Sequence, residues 1–313
     1  MTLRVPGGIA RLAVGECGLP GQVIVTTRDG KSLRLDKRAG AYKLLAVPSC
    51  PAPAPAGIAD LLTGSSVSKG RLSLKKAWLS GPTRRYPHGI LGDQVEATRL
   101  EVLTVTGLAL KFTLDGNSVF EDLWPRVVDI QGDGQDEVLV VRSRLNEGSS
   151  AALFGVVGTR LMLLAESEPI GKANRWLNPI GVADFDGDRR REIAVVITPH
   201  IGGTLTLFER RGSRLVKNHS KFGFSNHAIG SRELGMSTII DLNGDGIPDL
   251  VVPDASRKSL RIVTFAGGRF RELRKHDYGR KIVTAIVTAN FSYQVFPDVV
   301  FGLEDGTLVV LPR

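Results

Sequence analysis

The chain has 313 residues, of which 42% are hydrophobic and 6% aromatic, and its formal net charge at pH 7 is +9. The sequence contains no run of 18 or more apolar residues, so we expect no transmembrane helix. The basic residues are scattered through predicted loops, with no stripe of interleaved aromatic side chains and no nucleic-acid-binding motif. We therefore expect no nucleic-acid partner.

The N-terminal part of the chain has the pattern of a small β-structure. Three strand-like runs, at 23–27, 33–35 and 42–47, follow one another, and Arg28-Asp29-Gly30 between the first two is a hairpin-turn signal. The Pro/Ala run 51–56 predicts a semi-rigid linker. Residues 1–56 are thus expected to form an N-terminal hairpin region and a linker, and residues 58–80 are expected to be irregular.

Strand patterns resume at residue 100 and become regular after Trp124. Each repeat has a strand, an acidic loop, a second strand and then a hairpin of two more strands. The predicted strands are 100–106, 108–114 and 118–120, then 126–130, 137–142, 151–157 and 161–165, then 179–185, 192–198, 203–209 and 214–217, then 237–242, 249–252, 260–266 and 270–274, and finally 282–289, 299–302 and 307–311.

The acidic loop is clearest in the stretch 241–249, with the sequence DLNGDGIPD. Oxygen-bearing side chains occupy its first, third, fifth and ninth positions, and Gly246 at the sixth position permits a sharp turn. Calcium takes six to eight oxygen ligands, and the backbone carbonyl of the seventh residue, Ile247, can supply another. An EF-hand would need a glutamate at position twelve and flanking helices, whereas this loop has Val252 there and β-branched flanks. The pattern predicts a calcium loop between two strands.

Similar loops occur at 129–137 (DIQGDGQDE) and 184–192 (DFDGDRRRE), and a degenerate copy without the early carboxylates occupies 290–298. Successive loops begin at intervals of about 55 residues, near the roughly 50-residue period of some propeller repeats. The alternative is that these loops are only polar turns, formed by Asp, Asn and Gly. A solvated turn does not need so many mutually repelling carboxylates, so we favour bound cations.

The repeats resemble the FG-GAP/VCBS repeats of integrin α-subunit-type β-propellers over roughly residues 124–313. The resemblance implies an all-β fold: a β-propeller of four-stranded antiparallel blades, about six in number with five or seven as alternatives. The last repeat lacks a fourth strand, so we expect an N-terminal strand to close it. Residues 57–313 would form the propeller, and residues 1–56 would include a first blade or the closing strand.

The resemblance also implies a set of calcium ligands, with structural Ca²⁺ as the cofactor. Departures from the family pattern are the neutral Gln131 and the run of three arginines that begins at Arg189 in place of the turn glycine. The implied ligands, including the seventh-position carbonyls, are Asp129, Gln131, Asp133, Gln135 and Glu137; Asp184, Asp186, Asp188, Arg190 and Glu192; and Asp241, Asn243, Asp245, Ile247 and Asp249.

A second group of residues is expected on the face opposite the calcium loops, which binds ligands in integrin-like propellers. Trp stacks on sugar faces, Arg binds carboxylates in a fork geometry, and His titrates near neutral pH. The alternative is that these side chains satisfy loop backbones, with Trp176 packed between blades. The candidate ligand-binding residues are Arg175, Trp176, Asn178, His200, Asn226, His227, Arg232 and Glu233.

The expected function is that of a calcium-stabilised, non-catalytic module for adhesion, with a glycan or protein ligand. The alternative is a polysaccharide-acting hydrolase or lyase, for which His200 or His227 with Glu233 is the candidate catalytic pair. We expect a monomer in the periplasm or outside the cell, because weak calcium loops suit millimolar calcium, although no signal peptide is visible. Cys17 and Cys50 are expected either to form a disulfide or to remain as buried thiols.

Overall fold

The structure is a computed structural model that describes residues 1–16, 19–49, 57–291 and 297–312. All regular secondary structure in these residues is β-strand, which confirms the predicted all-β class. Cys17, Cys50, the Pro/Ala run 51–56 and most of the degenerate fourth loop lie outside the described residues.

The strands of the described residues are numbered in chain order. They are β1 (Thr2–Arg4), β2 (Ile9–Val14), β3 (Val23–Thr27), β4 (Ser32–Arg38), β5 (Ala41–Val47), β6 (Ser68–Lys69), β7 (Leu74–Thr83), β8 (Glu96–Thr104), β9 (Ala109–Thr113), β10 (Ser118–Phe120), β11 (Arg126–Val128), β12 (Glu137–Arg144), β13 (Gly148–Val157), β14 (Arg160–Ser167), β15 (Leu177–Ala183), β16 (Glu192–Ile197), β17 (Thr204–Arg211), β18 (Arg214–Phe222), β19 (Thr238–Ile240), β20 (Asp249–Pro253), β21 (Ser259–Thr264), β22 (Arg271–Asp277), β23 (Val287–Ala289), β24 (Asp298–Gly302) and β25 (Thr307–Leu311).

The strand that follows each acidic loop is buried on both faces. In β12, β16, β20 and β24 the first five residues are all buried, and most of them are Val, Ile, Leu or Phe. Continuous apolar runs of this kind suit the interior of a sheet that is covered on both sides. By contrast, β18 and β22 are rich in Lys, Arg and His and are mostly exposed.

The chain divides into two compact units. Unit 1 comprises residues 1–54, 235–265 and 271–313. It contains three four-stranded sheets with the strand orders β2-β3-β4-β5, β19-β20-β21-β22 and β1-β25-β24-β23. In the last sheet, β1 pairs antiparallel with β25, with Leu3 opposite Leu308. The predicted pairing of an N-terminal strand with the last repeat is therefore present.

Unit 2 comprises residues 55–234 and 266–270. It contains one 13-stranded sheet, in which β11 pairs with β12 and β9 with β8 beside the main strand path. Nearly every pairing is antiparallel, and the exception is a short parallel contact of Glu166 and Ser167 on β14 with Arg214 and Leu215 on β18. This contact joins the outer strands of two consecutive four-stranded groups, β11–β14 and β15–β18.

Each unit has its own hydrophobic core. In unit 2, Phe120, Phe154 and Trp176 are fully or almost fully buried among Val, Leu and Ile side chains of the 13-stranded sheet. In unit 1, two clusters form, one around Val25 and Val300 and the other around Val251 and Phe301.

The structure corrects the prediction of an irregular segment at 58–80. Strand β7 begins at Leu74 and pairs with β8 along almost its whole length. Lys75, Lys76 and the Gly81-Pro82 pair conceal this strand in the sequence, because they interrupt the alternation of apolar and polar residues. Strand β2 was also not predicted from the sequence, and its pairing with β3 shows a register shift between Ile9 and Arg11.

A buried hydrogen bond in unit 1 gives a test of the fold. The Tyr42 hydroxyl donates to Asp298 Oδ2 at 2.6 Å, and both side chains are buried. We expect Tyr42→Phe to lower the free energy of unfolding by about 1–3 kcal/mol, because the buried carboxylate loses its donor. Urea denaturation measures the change. Tyr278→Phe is the matched control, since the Tyr278 hydroxyl makes no hydrogen bond within the described residues; an equal loss in both variants would contradict the assignment.

Candidate functional site

The three acidic loops each connect two antiparallel strands at the same point. Loop 1 (residues 129–137) joins β11 to β12, loop 2 (184–192) joins β15 to β16, and loop 3 (241–249) joins β19 to β20. In each case the ninth residue of the loop is the first residue of the second strand. The strand–loop–strand setting predicted from the sequence is therefore present three times.

The first carboxylate of each loop accepts the same two backbone N–H groups. In loop 3, Asp241 Oδ1 accepts the N–H of Gly244 at 2.6 Å and Oδ2 accepts that of Gly246 at 2.9 Å. The fourth and sixth residues of loops 1 and 2 donate in the same way, at 2.6 and 3.2 Å to Asp129 and at 2.7 and 2.9 Å to Asp184. These bonds turn the backbone around the first carboxylate.

The sixth residue needs a left-handed backbone, which explains the glycines of loops 1 and 3. Gly134 has a φ of 82° and Gly246 a φ of 83°. Arg189 holds the same position in loop 2 with a φ of 72°. The arginine therefore follows the path of the glycines, at a cost of about 1–2 kcal/mol for a residue with a Cβ. This departure from the sequence pattern does not change the loop geometry.

The ninth residue supplies a buried carboxylate. Glu137, Glu192 and Asp249 are all nearly or fully buried, and each accepts the N–H of the second loop residue, at 2.9, 2.8 and 3.0 Å. Burial raises the pKa of Glu137 and of Asp249 above the usual range of a carboxyl group. The interior carboxylate thus lies in surroundings that disfavour its negative charge unless a cation is near.

Loop 2 gathers its carboxylates most closely. Oxygen atoms of Asp184, Asp186, Asp188 and Glu192 all lie within 4.8 Å of one another, and no other group of three or more acidic, His or Cys side chains in the described ranges is gathered in this way. Burial first, and then the charges of the three aspartates, raise the pKa of Glu192 to about 7. This group could hold a metal ion.

An unsatisfied oxygen in loop 2 also points toward a cation. Glu192 is wholly buried, and its Oε2 accepts the N–H of Phe185. Its Oε1 has no hydrogen-bond partner in the described part of the chain. A buried carboxylate oxygen without a donor is costly, and a coordinated cation would satisfy it.

In loop 1, donor groups of the protein lie beside the carboxylates. The Arg191 guanidinium, which belongs to loop 2, donates to the carbonyl oxygen of Asp129 and lies 3.7 Å from Asp129 Oδ2. The amide Nε2 of Gln131 is 3.3 Å from Asp133 Oδ2 and 3.4 Å from Glu137 Oε1. In this conformation, donors of the protein therefore stand beside the carboxylates that would coordinate an ion.

In loop 3, two of the candidate ligand side chains contact each other. Asn243 Nδ2 donates to Asp245 Oδ2 at 3.0 Å, so the third and fifth residues contact each other. The N–H of Ile247, the seventh loop residue, donates to Asp245 Oδ1 at 2.9 Å. In loops 1 and 2 the N–H of the seventh residue likewise donates to the carboxylate of the fifth residue, from Gln135 to Asp133 and from Arg190 to Asp188. The scheme of backbone donors is conserved among the three loops of this chain, although their side chains differ.

Three members of the second predicted set pack against one another in unit 2. His200 Nε2 is 2.8 Å from His227 Nδ1, and both rings lie against the indole of Trp176, with centroids 6.1 and 4.8 Å away. His227 Nε2 is 2.8 Å from the Ser231 carbonyl oxygen, which can only accept, so Nε2 carries a proton. Trp176 is buried and donates its Nε1–H to the Glu121 carbonyl at 2.9 Å.

Asn178 and Asn226 are also buried, and each binds the backbone of a distant segment. Asn178 Nδ2 donates to the carbonyls of Asn226 and Leu234, at 3.2 and 3.0 Å. Asn226 Nδ2 donates to the Asn178 carbonyl at 3.3 Å. These contacts match the alternative in which the predicted residues satisfy loop backbones.

The other members of this set are more accessible. Arg232 is exposed and bridges to Asp93 at 2.7 Å, while Arg175 and Glu233 are partly buried. Arg175 donates to the carbonyl of Asn174 at 3.1 Å. A ligand would therefore meet Arg175, His200, Arg232 and Glu233 before it met the other four predicted residues. The role of the set in ligand binding remains a prediction.

Sequence reasoning missed a buried group of ionisable residues in unit 2. His88 Nδ1 lies 2.6 Å from Glu121 Oε1, and the neighbouring carboxyl of Glu96 is almost completely buried. Asp122 forms an ion pair with Arg126 at 2.7 Å, in which both side chains are buried. The partners are up to 33 residues apart, and isolated Glu and Asp residues in a strand-rich region carry no sequence signal for such pairing.

The comparisons with known proteins do not identify a family. No family model matches the chain, and the search of curated proteins gives no match either. Within the described ranges, no helix has the length and apolar character needed to cross a bilayer.

The Glu96 carboxyl gives a prediction for the pH dependence of stability. Burial raises the pKa of Glu96 to about 10, and the negative charges of Glu121, Asp93 and Asp122 contribute to this rise. The positive charge of Arg232 acts in the opposite direction. In the unfolded chain the pKa of Glu96 is about 4.3. The stability linked to this proton is fully present below the unfolded value and is lost as the pH rises toward about 10. We expect Glu96→Gln to match the wild type near pH 4 and to exceed its stability near pH 9.

Urea denaturation at several pH values measures this difference. Glu168→Gln, which changes an exposed glutamate in the same unit, is the control and should leave the pH profile unchanged. Parallel profiles for the wild type and Glu96→Gln would show that Glu96 is not the group responsible.

Proposed function

We propose that the chain is a calcium-stabilised β-propeller of the FG-GAP type, with about six blades, that acts as a non-catalytic module for binding a glycan or protein ligand. The strand pairing supports six groups of four: β2–β5, β6–β9, β11–β14, β15–β18, β19–β22, and β23–β25 with β1. Within each group, consecutive strands are antiparallel neighbours, as in the blades of a propeller.

The observation that carries the proposal is the repeated construction of the acidic loops. Three loops share one scheme of backbone donors, and loop 2 gathers four carboxylates, among them Glu192, whose buried Oε1 has no donor in the described residues. A polar turn gains nothing from this convergence, because each carboxylate raises the cost of ionising the others.

Calcium fits these loops better than magnesium or zinc does. All the candidate ligands are oxygens, including neutral amides and backbone carbonyls, and calcium accepts six to eight such ligands with variable geometry. Magnesium requires near-ideal octahedral geometry, and zinc favours sulfur and nitrogen. Loops of this kind bind well at the millimolar calcium concentrations found outside the cytoplasm, which supports a periplasmic or extracellular location.

The contacts of His227 do not suit a general base. His227 is fully buried, with one ring nitrogen donating to a backbone carbonyl and the other facing His200. A general base must reach a proton of the substrate. The arrangement therefore suits a structural role for His227.

Calcium binding can be tested by thermal melting and calorimetry. We expect calcium to raise the melting temperature, with each occupied site contributing about 2–3 kcal/mol when calcium is roughly 100-fold above its dissociation constant. Asp186→Asn should remove the loop 2 site and the corresponding part of the shift. Asp60→Asn, a change at an exposed aspartate in the same unit, is the control. An equal shift with magnesium would refute calcium selectivity, and no shift with either ion would refute the metal site.

Loop 1 gives a separate prediction. Because Arg191 stands beside Asp129, we expect it to compete with a cation for this loop. Arg191→Ala should therefore strengthen calcium binding at loop 1 severalfold and raise the number of ions bound per chain at a fixed, subsaturating calcium concentration. Arg160→Ala removes an exposed arginine of the same unit and should change neither quantity. Unchanged or weaker binding in Arg191→Ala would contradict the competition.

One observation favours the alternative of a polysaccharide-acting enzyme. In the His88–Glu121 pair a buried carboxylate orients a histidine, as in many catalytic sites, and Ser143 also hydrogen-bonds to Glu121. Release of reducing ends from a polysaccharide by the wild type, and its loss in a folded His88→Asn variant, would establish this function in place of the binding module.

A further inference from the structure

A cleft of unit 2 lies beside loop 1, and none of the predicted ligand-binding residues lines it. It has a volume of about 690 Å³, within the range of small-molecule sites. Its walls come from the segment around β6, from the turn before β11 and from Arg191. Trp124 is 45% exposed and Leu72 is 46% exposed, so both offer apolar surface to this cleft.

The wall that carries Trp124 is held rigidly. The buried carboxylate of Asp122 accepts the N–H groups of Leu123, Trp124 and Val141 at 2.9–3.0 Å and pairs with Arg126. The Arg126 guanidinium also donates to the Trp124 carbonyl at 2.8 Å and lies 5.6 Å from the centre of its indole. Hydrogen bonds therefore hold the segment that carries the exposed indole, so less conformational entropy is lost when a ligand binds.

The opposite wall is fixed in the same way. Asp136 is buried, and its Oδ2 accepts the N–H groups of Arg71, Leu72 and Leu74 at 3.2, 2.8 and 2.9 Å. This carboxylate fixes the turn that presents the side chains of Arg71 and Leu72 to the cleft. Two buried aspartates thus organise both walls of the cleft.

The charge that remains in the cleft is positive. The side chains of Lys69 and Arg71 make no ion pair or hydrogen bond within the described residues, whereas Arg191 is already paired with Asp129. The carboxylates of Asp129 and Asp136 are already engaged by backbone N–H groups. A negatively charged ligand would form ion pairs with Lys69 and Arg71.

We propose that this cleft binds an acidic glycan, a chain of uronic acid residues, with one sugar ring on Trp124 and carboxylates on Lys69 and Arg71. The apolar face of a sugar ring matches the indole, and arginine forms paired hydrogen bonds with a carboxylate. A single aromatic platform in a compact cleft suits one or two sugar rings better than a nucleic acid, which uses successive stacking side chains. This inference names the ligand class of the proposed binding function and therefore rests on it.

Isothermal titration calorimetry on the full chain with tri-galacturonate tests the proposal, and its fully methyl-esterified form is the uncharged control ligand. We expect the charged trimer to bind and the ester to bind at least about tenfold more weakly, since the ester cannot accept charge-assisted hydrogen bonds. Each of Lys69→Ala, Arg71→Ala and Trp124→Ala should weaken binding of the acid by about tenfold, while Trp124→Phe should retain part of the affinity.

Two variants control for general effects. Arg160→Ala removes an exposed cation elsewhere in unit 2, and Phe222→Ala removes a 68% exposed aromatic ring on β18. Both should bind tri-galacturonate as the wild type does. Melting curves with and without calcium, measured on every variant, separate loss of the cleft from loss of the fold.

The other outcomes are informative. Equal binding of the ester would overturn the role of charge, and equal or tighter binding of hexaglutamate with the same variant sensitivity would assign the cleft to an acidic protein. Binding that survives all three cleft variants would place the ligand elsewhere and leave the proposed binding function standing. Absence of binding alongside intact calcium stabilisation would overturn this inference alone.

Discussion

Repulsion among carboxylates confined in a tight turn is the constraint on which this chain is organised. The chain meets it in three ways. Loop 2 keeps four carboxylates together, with a buried oxygen of Glu192 that has no donor in the described part of the chain, and this group could hold a metal ion. Loop 1 brings in the guanidinium of Arg191. At the start of β24, the position of the ninth loop residue, the carboxylate of Asp298 accepts the hydroxyl of Tyr42. In loops 1 and 2 the same scheme of backbone donors thus holds carboxylates in two different electrostatic environments.

A second feature that recurs in the structure is a buried aspartate that accepts several backbone N–H groups. Asp122 and Asp136 each collect three backbone N–H groups, which satisfies a carboxylate inside the protein and fixes the course of an irregular segment. Burial of a charge is unfavourable unless it is fully hydrogen-bonded, so these side chains define the turns that they hold. Rigid turns of this kind can carry exposed Trp and Arg side chains in constant positions.

The sequence predicted those parts of the structure whose cause is local. Strands such as β12 and β16 were found because burial on both faces produces an unbroken run of Val, Ile and Leu, and the loops were found because the spacing of their oxygens repeats. Strand β7 was missed because its lysines and its Gly81-Pro82 pair hide the alternation. The burial of Asn178 and the pairing of His88 with Glu121 depend on segments tens of residues away, and no local pattern encodes them.

The pairing of β1 with β25 has a consequence for folding kinetics. Leu3 lies opposite Leu308, so about 300 residues separate the two strands along the chain. Such non-local contacts form slowly because a long loop must close first. Until β1 pairs with it, β25 has an open edge whose backbone N–H and C=O groups can pair with a strand of another molecule. The rate at which β1 docks therefore sets how long this edge is open to aggregation.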